Sequence, residues 1–212
     1  MYETHHYSLL TIEYIMSVLV GQKAPHFEAA AIVNGTDAVT NFSLAQYLGK
    51  QYVLFFFYPA DFSAVCPTEI LAFQELADEF AQRNVAVVGC SGDSHFVHQR
   101  WLSTPVKEGG IQGVKYPLVA DPAKTIMQNY GIMAGDYLYN ESGEVAFQGP
   151  AMAYRASFLI DKEGIVRHQV VNDLPLSRST EETLRMIDAL QHFEQYGEAC
   201  PINWHRGDKG IG

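Results

Sequence analysis

The strongest feature of the hydrophobic pattern is an almost unbroken apolar run at residues 52–58. A run this short, and rich in aromatic residues, predicts a strand that is buried on both faces in the middle of a sheet. Pro59 ends the strand, because proline has no N–H to donate to a neighbouring strand. Beyond Cys66 the spacing of apolar residues predicts one amphipathic helix, through Ile70, Phe73, Leu76, Ala77 and Phe80. Cys66 is therefore expected at a strand–loop–helix junction.

Turn and cap residues divide the rest of the chain into further elements. Asn34-Gly35 predicts a tight hairpin turn. The apolar run at 84–90 predicts a second strand, parallel to the first and joined to it by a right-handed helical crossover. Ser179 is typical of the N-cap of a last, long helix. That helix carries an apolar stripe that we expect in the core, made of Leu184, Ile187, Leu190 and Phe193.

The second half of the chain predicts a short strand at 116–120, followed by a helix that starts at Asp121-Pro122. Residues 131–153 are irregular, and their glycines indicate a hairpin or a surface excursion. Residues 155–171 predict two more antiparallel strands. Because strands and helices alternate in this order, we predict an α/β fold with one mixed sheet and helices on both faces.

Composition limits what the protein does. The 212 residues are 48% hydrophobic, which suits one folded domain, and the net charge of -10 argues against a nucleic-acid partner. Three cysteines without a Cys-x-x-Cys pair indicate a reducing, cytoplasmic setting and no zinc site. We also expect no cofactor and no contact with a membrane.

Residues 1–15 stand apart from the rest of the chain. They contain no Lys or Arg, unlike a secretory signal, and Glu13 interrupts their apolar run. We interpret them as an N-terminal extension or as the product of an upstream start codon, with the functional domain at 16–212. A short docking helix is the alternative interpretation.

Cys66 is the first candidate for chemistry. A helix N-terminus presents unpaired N–H groups and a partial positive charge, which stabilise the thiolate, the reactive form of cysteine. Ser63, three residues earlier, has a hydroxyl that can donate to the sulfur or to a substrate oxygen. A buried structural cysteine is the alternative for Cys66 and the preferred interpretation for Cys90.

His95 and His98 share a helix face, but without a third ligand nearby we favour surface or hydrogen-bonded histidines over a metal site.

Several separated motifs resemble one known family in the same order along the chain. The spacing Pro59-x-x-x-Ser63-x-x-Cys66 is similar to the active-site signature of the peroxiredoxins. The string Val65-Cys66-Pro67-Thr68-Glu69 resembles their typical 2-Cys group, which includes the bacterial alkyl hydroperoxide reductase C subunits and thioredoxin peroxidases. The resemblance runs from about Ser17 to the C-terminus and continues in Gly92-Asp-Ser-His-Phe96, His98-x-x-Trp101, Leu174-Pro175 with Arg178-Ser179, and Gly197-Glu-Ala-Cys200-Pro201-x-Asn-Trp204.

The resemblance implies a thioredoxin-like fold with insertions and the thiol-dependent reduction of hydrogen peroxide and organic hydroperoxides. By resemblance, Cys66 attacks the peroxide and becomes a sulfenic acid. Ser63 hydrogen-bonds the peroxide, Pro59 shields the sulfenic acid from water, and Arg155 supports the thiolate and the transition state. The same resemblance assigns Glu69 and Arg178 to the supporting polar network.

The resemblance also assigns Cys200, in a tail that begins at about residue 197, as the resolving cysteine. In the resembling group that thiol belongs to the other subunit, so the resemblance implies a homodimer as the catalytic unit and allows a ring of dimers. The cycle then needs an external dithiol reductant, either thioredoxin or a dedicated flavoprotein disulfide reductase. A non-catalytic tail cysteine remains the alternative for Cys200.

Some positions depart from the family pattern. Ala64 stands where the family usually has phenylalanine, and the segment 131–153 is longer than its counterpart. The residues after Trp204 include three glycines and one large apolar side chain, Ile211, so we expect a mobile end without the Tyr-Phe ending of easily over-oxidised relatives.

A holdase chaperone or redox-relay protein on the same fold is the alternative function. A thioredoxin-like disulfide reductase is disfavoured because Cys-x-x-Cys is missing.

Overall fold

A computed structural model describes residues 18–139 and 142–212, so the predicted extension at 1–15 lies outside the described residues. The strands are β1 Ala29–Val33, β2 Asp37–Phe42, β3 Tyr52–Phe57, β4 Val85–Ser91, β5 Leu118–Ala120, β6 Met133–Tyr139, β7 Val145–Ala153, β8 Arg155–Ile160 and β9 Val166–Asn172. The α-helices are α1 Cys66–Glu75, α2 Ala77–Gln82, α3 His95–Ser103, α4 Thr125–Asn129 and α5 Thr180–Tyr196. Short 3₁₀ helices cover Leu44–Tyr47 and Val106–Glu108.

Seven strands form one mixed sheet in the order β2-β1-β5-β4-β3-β8-β9. The predicted parallel pairing is confirmed, because β3 and β4 are parallel and joined through α1 and α2. Strands β8 and β9 pair in antiparallel fashion, as predicted for residues 155–171. Strand β8 also pairs with β3, again in antiparallel fashion. The β1–β2 hairpin turns at Asn34 and Gly35, which have φ values of 55° and 80°, so the predicted tight turn is confirmed as well.

Strand β3 is buried along its whole length, as its apolar sequence predicts. Side chains alternate across a sheet. Val53, Phe55 and Phe57 therefore pack on one face with α4, whereas Leu54 and Phe56 pack on the other face with α1, α2, α3 and α5. Each fully buried phenylalanine contributes roughly 1.5–3 kcal/mol to stability. Helices on both faces are thus what the two-sided burial of β3 requires.

Two helix predictions need correction. The single helix expected after Cys66 is two helices, because the backbone leaves helical values at Leu76, with φ -95° and ψ 14°. The helix expected at Asp121-Pro122 begins later, at Thr125, after Lys124 takes a left-handed conformation with φ 59°. Asp121 still stabilises the first turn of that helix, because its Oδ2 accepts a hydrogen bond of 2.9 Å from the N–H of Met127.

The last helix is only partly the predicted core element. Ser179 caps it, accepting a hydrogen bond from the N–H of Glu182, and Ile187 is buried. Phe193 was expected in the core, but 53% of it is exposed, because its neighbour Glu194 is the residue of this turn that faces the sheet, where it accepts a hydrogen bond from the hydroxyl of Tyr52. No helix in the described ranges is long and apolar enough to cross a membrane.

The segment 131–153 forms a hairpin, one of the two forms that its sequence predicted. Strands β6 and β7 pair with each other in a separate two-stranded sheet, and neither belongs to the seven-stranded sheet. The chain leaves β7 at Ala153 and enters β8 at Arg155, so the hairpin is joined directly to the start of β8, the strand next to β3.

The close approach of three strands around Gly89 gives a stability prediction. A Cβ at this position would lie 2.8 Å from Leu118 Cδ2 and 2.9 Å from Phe56 Cζ. We expect Gly89→Ala to lower the free energy of unfolding by about 1–3 kcal/mol, because a packed core cannot absorb the added methyl group. Urea denaturation measures this. Gly92→Ala is the control, since its nearest neighbour would be 3.4 Å away; an equal loss in both variants would contradict the packing explanation.

Candidate active site

Cys66 lies in the first turn of α1 and is completely buried. The predicted strand–loop–helix junction is therefore confirmed, with Pro67 in the first helical turn, where a missing N–H costs nothing. Ser63 Oγ accepts a hydrogen bond of 3.3 Å from the N–H of Cys66. The hydroxyl proton of Ser63 is thus directed elsewhere, and Ala64 next to it is exposed.

Arg155 is the first residue of β8, the strand that pairs with β3, and its side chain contacts Cys66. Its Nη1 donates to Cys66 Sγ at 3.5 Å and to Glu69 Oε2 at 2.6 Å. Its Nε donates to the carbonyl oxygen of Leu174 at 2.5 Å, which fixes the plane of the guanidinium. The side chain is 5% exposed, so its charge acts on the sulfur with little screening from water.

Glu69 joins Arg155 to a second buried guanidinium, that of Arg178. Arg178 Nε and Nη2 donate to Glu69 Oε1 and Oε2 at 3.0 and 2.9 Å. Its Nη1 donates to the carbonyl oxygens of Phe57 and Ala156, at the ends of β3 and β8 nearest the site. Burial alone would raise the pKa of Glu69, but the charge and hydrogen bonds of Arg178, with the charge of Arg155, hold that pKa below its usual range.

Charge counting shows what this cluster can do. Two guanidinium groups and one carboxylate leave one positive charge in excess beside Cys66, in a site from which water is largely removed. A thiolate on Cys66 would neutralise that excess charge. The arrangement therefore places a buried cation where it can stabilise negative charge that develops during a reaction at this sulfur.

A second buried network, which the sequence analysis missed, supports the loop between Pro59 and Cys66. Asp61 Oδ1 accepts from the hydroxyl of Tyr58 at 2.8 Å, and Asp61 Oδ2 lies 2.7 Å from Nδ1 of the buried His98. Burial raises the pKa of Asp61, although His98 opposes the rise. The network ties the loop that carries Pro59 and Ser63 to α3. An ionisable residue directly between apolar neighbours, such as Asp61, is the sequence signal that points to it.

The preferred interpretation of the histidines is confirmed for His98, because both of its ring nitrogens have hydrogen-bonding partners. Nε2 lies 3.1 Å from the carbonyl oxygen of Val119. Within the described part of the chain there is no group of three or more His, Cys, Asp or Glu side chains that could hold a metal ion.

Cys90 is separated from this site. It is fully buried near the end of β4 and packs in the core on the α4 face, whereas Cys66 packs on the opposite face. Burial raises the pKa of the Cys90 thiol well above its ordinary value, and the nearby Asp121 adds to the rise. The interpretation of Cys90 as a small buried apolar residue is therefore confirmed.

Cys200 lies in the tail that follows α5, where its thiol packs against that helix. Its Sγ is 3.6 Å from the carbonyl oxygen of Ala189 in α5, and all three cysteines are free thiols. Burial raises the pKa of the Cys200 thiol, while Arg185 opposes the rise. Gly197 ends α5 in a left-handed conformation and starts the tail, which turns back along the helix.

The tail after Cys200 is more ordered than its sequence indicated. Trp204 is 2% exposed, and its ring packs against the ring of His192 with centroids 4.8 Å apart. Ala199 and Ile211 exchange two backbone hydrogen bonds of 2.7 and 2.8 Å. The residues after Trp204 do bury little, as expected, but these contacts close them into a loop instead of leaving a free end.

Comparison with known proteins agrees with this geometry. The profile of the AhpC/TSA family matches residues 20–169, and that of the C-terminal domain of 1-Cys peroxiredoxin matches residues 189–211. Alkyl hydroperoxide reductase C of Helicobacter pylori is 46% identical over 194 residues, covering 92% of this chain and 91% of the relative. A peroxiredoxin of Cynops pyrrhogaster is 44% identical over 192 residues, covering 91% and 88% of the two chains. Reduced 2-Cys peroxiredoxin of Plasmodium vivax has a TM-score of 0.81 and 41% identity, over 92% of this chain and 93% of that one, which confirms the expected thioredoxin-like fold.

The packing of the tail predicts how accessible Cys200 is. We expect Trp204→Ala to raise the rate of Cys200 alkylation by iodoacetamide about tenfold, because local opening limits reaction of a partly buried thiol. Mass spectrometry of the protein with Cys66→Ser and Cys90→Ser as background measures the rate. Lys209→Ala, an exposed change in the same loop, serves as control. Equal rates in the two variants would show that Trp204 does not hold the tail closed.

Proposed function

This chain belongs to the AhpC/TSA family of peroxiredoxins and is a thiol-dependent peroxidase, and we propose that Cys66 is the cysteine that attacks the hydroperoxide. The observation that carries the proposal is the contact of 3.5 Å between Cys66 Sγ and Arg155 Nη1, within a cluster that has one positive charge in excess. Cys90 lies in the opposite core and Cys200 in the C-terminal tail, so neither has this environment.

In the first step, the Cys66 thiolate attacks one oxygen of the hydroperoxide. A sulfur–oxygen bond forms as the oxygen–oxygen bond breaks, so sulfur loses two electrons and the peroxide gains them. The departing oxygen leaves as an alkoxide or hydroxide and takes up a proton to become an alcohol or water. The negative charge that moves from sulfur to this oxygen is what a preorganised cation stabilises best.

We assign the supporting residues from their contacts. Arg155 faces the sulfur. Its positive charge stabilises the negative charge while that negative charge shifts from the sulfur toward the peroxide oxygen. Ser63, whose oxygen accepts from the N–H of Cys66, keeps its own proton available for a peroxide oxygen. Glu69 and Arg178 hold Arg155 in place. Pro59 is buried at the start of the loop, which suits the role of keeping water from the sulfenic acid.

In the second step, we propose that Cys200 of a second subunit condenses with the Cys66 sulfenic acid. A disulfide forms and water leaves, with no further change in electron count. The choice of a second subunit follows the family resemblance. In this chain Cys200 is held against its own α5, and Cys66 is buried in the first turn of α1. The tail must therefore leave α5, and the first turn of α1 must open, before the sulfurs meet.

Completing the cycle requires an external thiol reductant, and the family assembles into oligomers. We propose that the reductant is thioredoxin or a flavoprotein disulfide reductase. We further propose that the working unit is a homodimer, alone or in a ring of dimers, and that it acts in the cytoplasm as a single domain of residues 16–212. The relatives described above are named as peroxide-reducing proteins, which gives the chaperone alternative no support.

Removing the Arg155 charge tests the assignment of the attacking cysteine. We expect Arg155→Met to slow the reaction of Cys66 with hydrogen peroxide by about 100-fold, as for other donors that stabilise developing charge. Rapid-quench trapping of the sulfenic acid with dimedone, in the Cys200→Ser background, measures the rate. Arg100→Met, which removes an exposed arginine of α3, should leave the rate unchanged. A similar loss in both variants would contradict a specific role for Arg155.

Mixing single-cysteine variants tests the pairing between subunits. Neither Cys66→Ser nor Cys200→Ser alone should form a disulfide-linked dimer after one equivalent of peroxide, because each lacks one of the two sulfurs. After subunit exchange, the mixture should form one, visible on a non-reducing gel. Oxidised wild-type protein that stays monomeric on the same gel would show that the bridge forms within one chain.

A further inference from the structure

One residue of the loop between β3 and α1 has an unusual backbone conformation. Phe62 has a φ of 56°, in the left-handed region that bulky side chains rarely adopt. Among the non-glycine residues of the described ranges with a positive φ, it is the only aromatic one. A residue stays in such a conformation only where the surrounding structure holds it, and such residues concentrate at functional sites. The loop that leads to Cys66 thus contains a strained turn that its neighbours must hold in place.

The residue before this turn, Asp61, is held by three hydrogen bonds. Its N–H donates to Asp93 Oδ2 at 2.8 Å, and its Oδ1 accepts from the hydroxyl of Tyr58 at 2.8 Å. Its Oδ2 lies 2.7 Å from Nδ1 of His98. Ser91 fixes Asp93 in turn, because its hydroxyl donates to Asp93 Oδ2 at 2.8 Å. Asp61, Tyr58 and His98 are buried, so the chain enters the strained turn from a fixed point.

The contact between Asp61 and His98 contains a proton. His98 Nε2 lies 3.1 Å from the carbonyl oxygen of Val119, and a carbonyl oxygen only accepts, so Nε2 carries a hydrogen. The short contact between Nδ1 and Asp61 Oδ2 then needs a second hydrogen, on the ring or on the carboxyl group. The change Asp61→Asn supplies that hydrogen from its amide and keeps an oxygen for the hydroxyl of Tyr58. Asp61→Asn therefore preserves this anchor, whereas Asp61→Ala removes it.

Ser63 follows the turn, so the backbone direction at Phe62 decides where its side chain lies. Its Oγ accepts a hydrogen bond of 3.3 Å from the N–H of Cys66, at the start of α1. The ring of Phe62 packs on that of Trp101 with centroids 5.8 Å apart, but 48% of Phe62 is exposed, so this contact alone does not fix the backbone. The turn is held from Asp61 on one side and from the bond between Ser63 and Cys66 on the other.

We propose that Asp61 and the left-handed turn at Phe62 position Ser63 for the reaction of Cys66 with hydroperoxide. The proposal rests on the roles proposed above for Cys66 and Ser63. If Phe62 relaxed to an ordinary negative φ, Ser63 would move away from the N–H of Cys66 and from the peroxide that it is to bind. A displacement of about 1 Å at a reacting centre can lower a rate about 100-fold. Asp61 and Phe62 act through Ser63, so both are positioning residues.

A matched pair of substitutions at Phe62 tests the backbone. Phe62→Asn and Phe62→Val both remove the aromatic ring, but asparagine tolerates a left-handed backbone, whereas β-branched valine does not. We expect Phe62→Val to react with hydrogen peroxide about tenfold more slowly than Phe62→Asn, because a misplaced group lowers the rate steeply. Rapid-quench trapping of the Cys66 sulfenic acid with dimedone, in the Cys200→Ser background, measures both rates.

A second pair tests the anchor. We expect Asp61→Ala, which removes both side-chain bonds of Asp61, to react about tenfold more slowly than Asp61→Asn, which keeps them. Tyr58→Phe removes one of these bonds and almost no packing volume, so its loss of rate should be smaller. If Asp61→Ala fails to fold, the pair at the half-exposed Phe62 still decides.

A double-mutant cycle shows whether the turn acts through Ser63. Ser63→Ala should slow the reaction by itself. Adding Phe62→Val to Ser63→Ala should slow it little further, because the hydroxyl that the turn positions is already absent. A turn that only supports the fold would give two losses that multiply.

Failure of the inference differs from failure of the proposed function. Equal rates for Phe62→Asn and Phe62→Val, equal rates for folded Asp61→Ala and Asp61→Asn, or losses that multiply in the cycle would overturn the positioning role. Dimedone would still label Cys66 in each of those cases, and the proposed function would stand. Label on another cysteine in protein with an unaltered loop would overturn the proposed function itself.

Discussion

Glu69 binds two buried guanidinium groups at once, and four separate parts of the chain must meet for it to do so. Helix α1 supplies Glu69 itself, strand β8 supplies Arg155, and the segment before α5 supplies Arg178. The ends of β3 and β8 contribute the carbonyl oxygens that satisfy the rest of Arg178. Removing one charge from such a cluster leaves the others buried without a partner, which costs several kcal/mol, about 3–5 in comparable cases. The position of Cys66 therefore depends on the whole cluster.

The sheet makes this cluster possible by removing water from around it. Strand β3 is buried on both faces, and its final residue, Phe57, lies at the edge where Arg178 binds. The loop that follows is held from α3 through Asp61 and His98, so its polar groups also have partners inside the protein. A rigid apolar support and satisfied polar groups together keep one excess positive charge next to a thiol. That charge, and not the sulfur alone, distinguishes Cys66 from the equally buried Cys90.

The two cysteines assigned to the cycle have opposite requirements. Cys66 needs a closed, rigid environment to react with peroxide, whereas Cys200 sits in a tail that must leave its helix before it can react. The tail is held by a few contacts, mainly the packing of Trp204 on His192 and the pairing of Ala199 with Ile211. Such small sets of contacts open at modest cost.

The sequence alone determined the features that depend on local pattern. The buried central strand, the position of Cys66 at the start of a helix, the Asn34-Gly35 turn and the Ser179 cap all follow from short-range rules of burial, backbone geometry and hydrogen bonding. Only the tertiary structure decided which distant side chains meet. Arg155 is 89 residues from Cys66, and no periodicity relates them; only the family resemblance brought them together. The Asp61–His98 pair, the break at Leu76, the exposure of Phe193 and the closed tail were not foreseen, because each depends on how separate elements pack, and a side chain's burial is set by its neighbours in space.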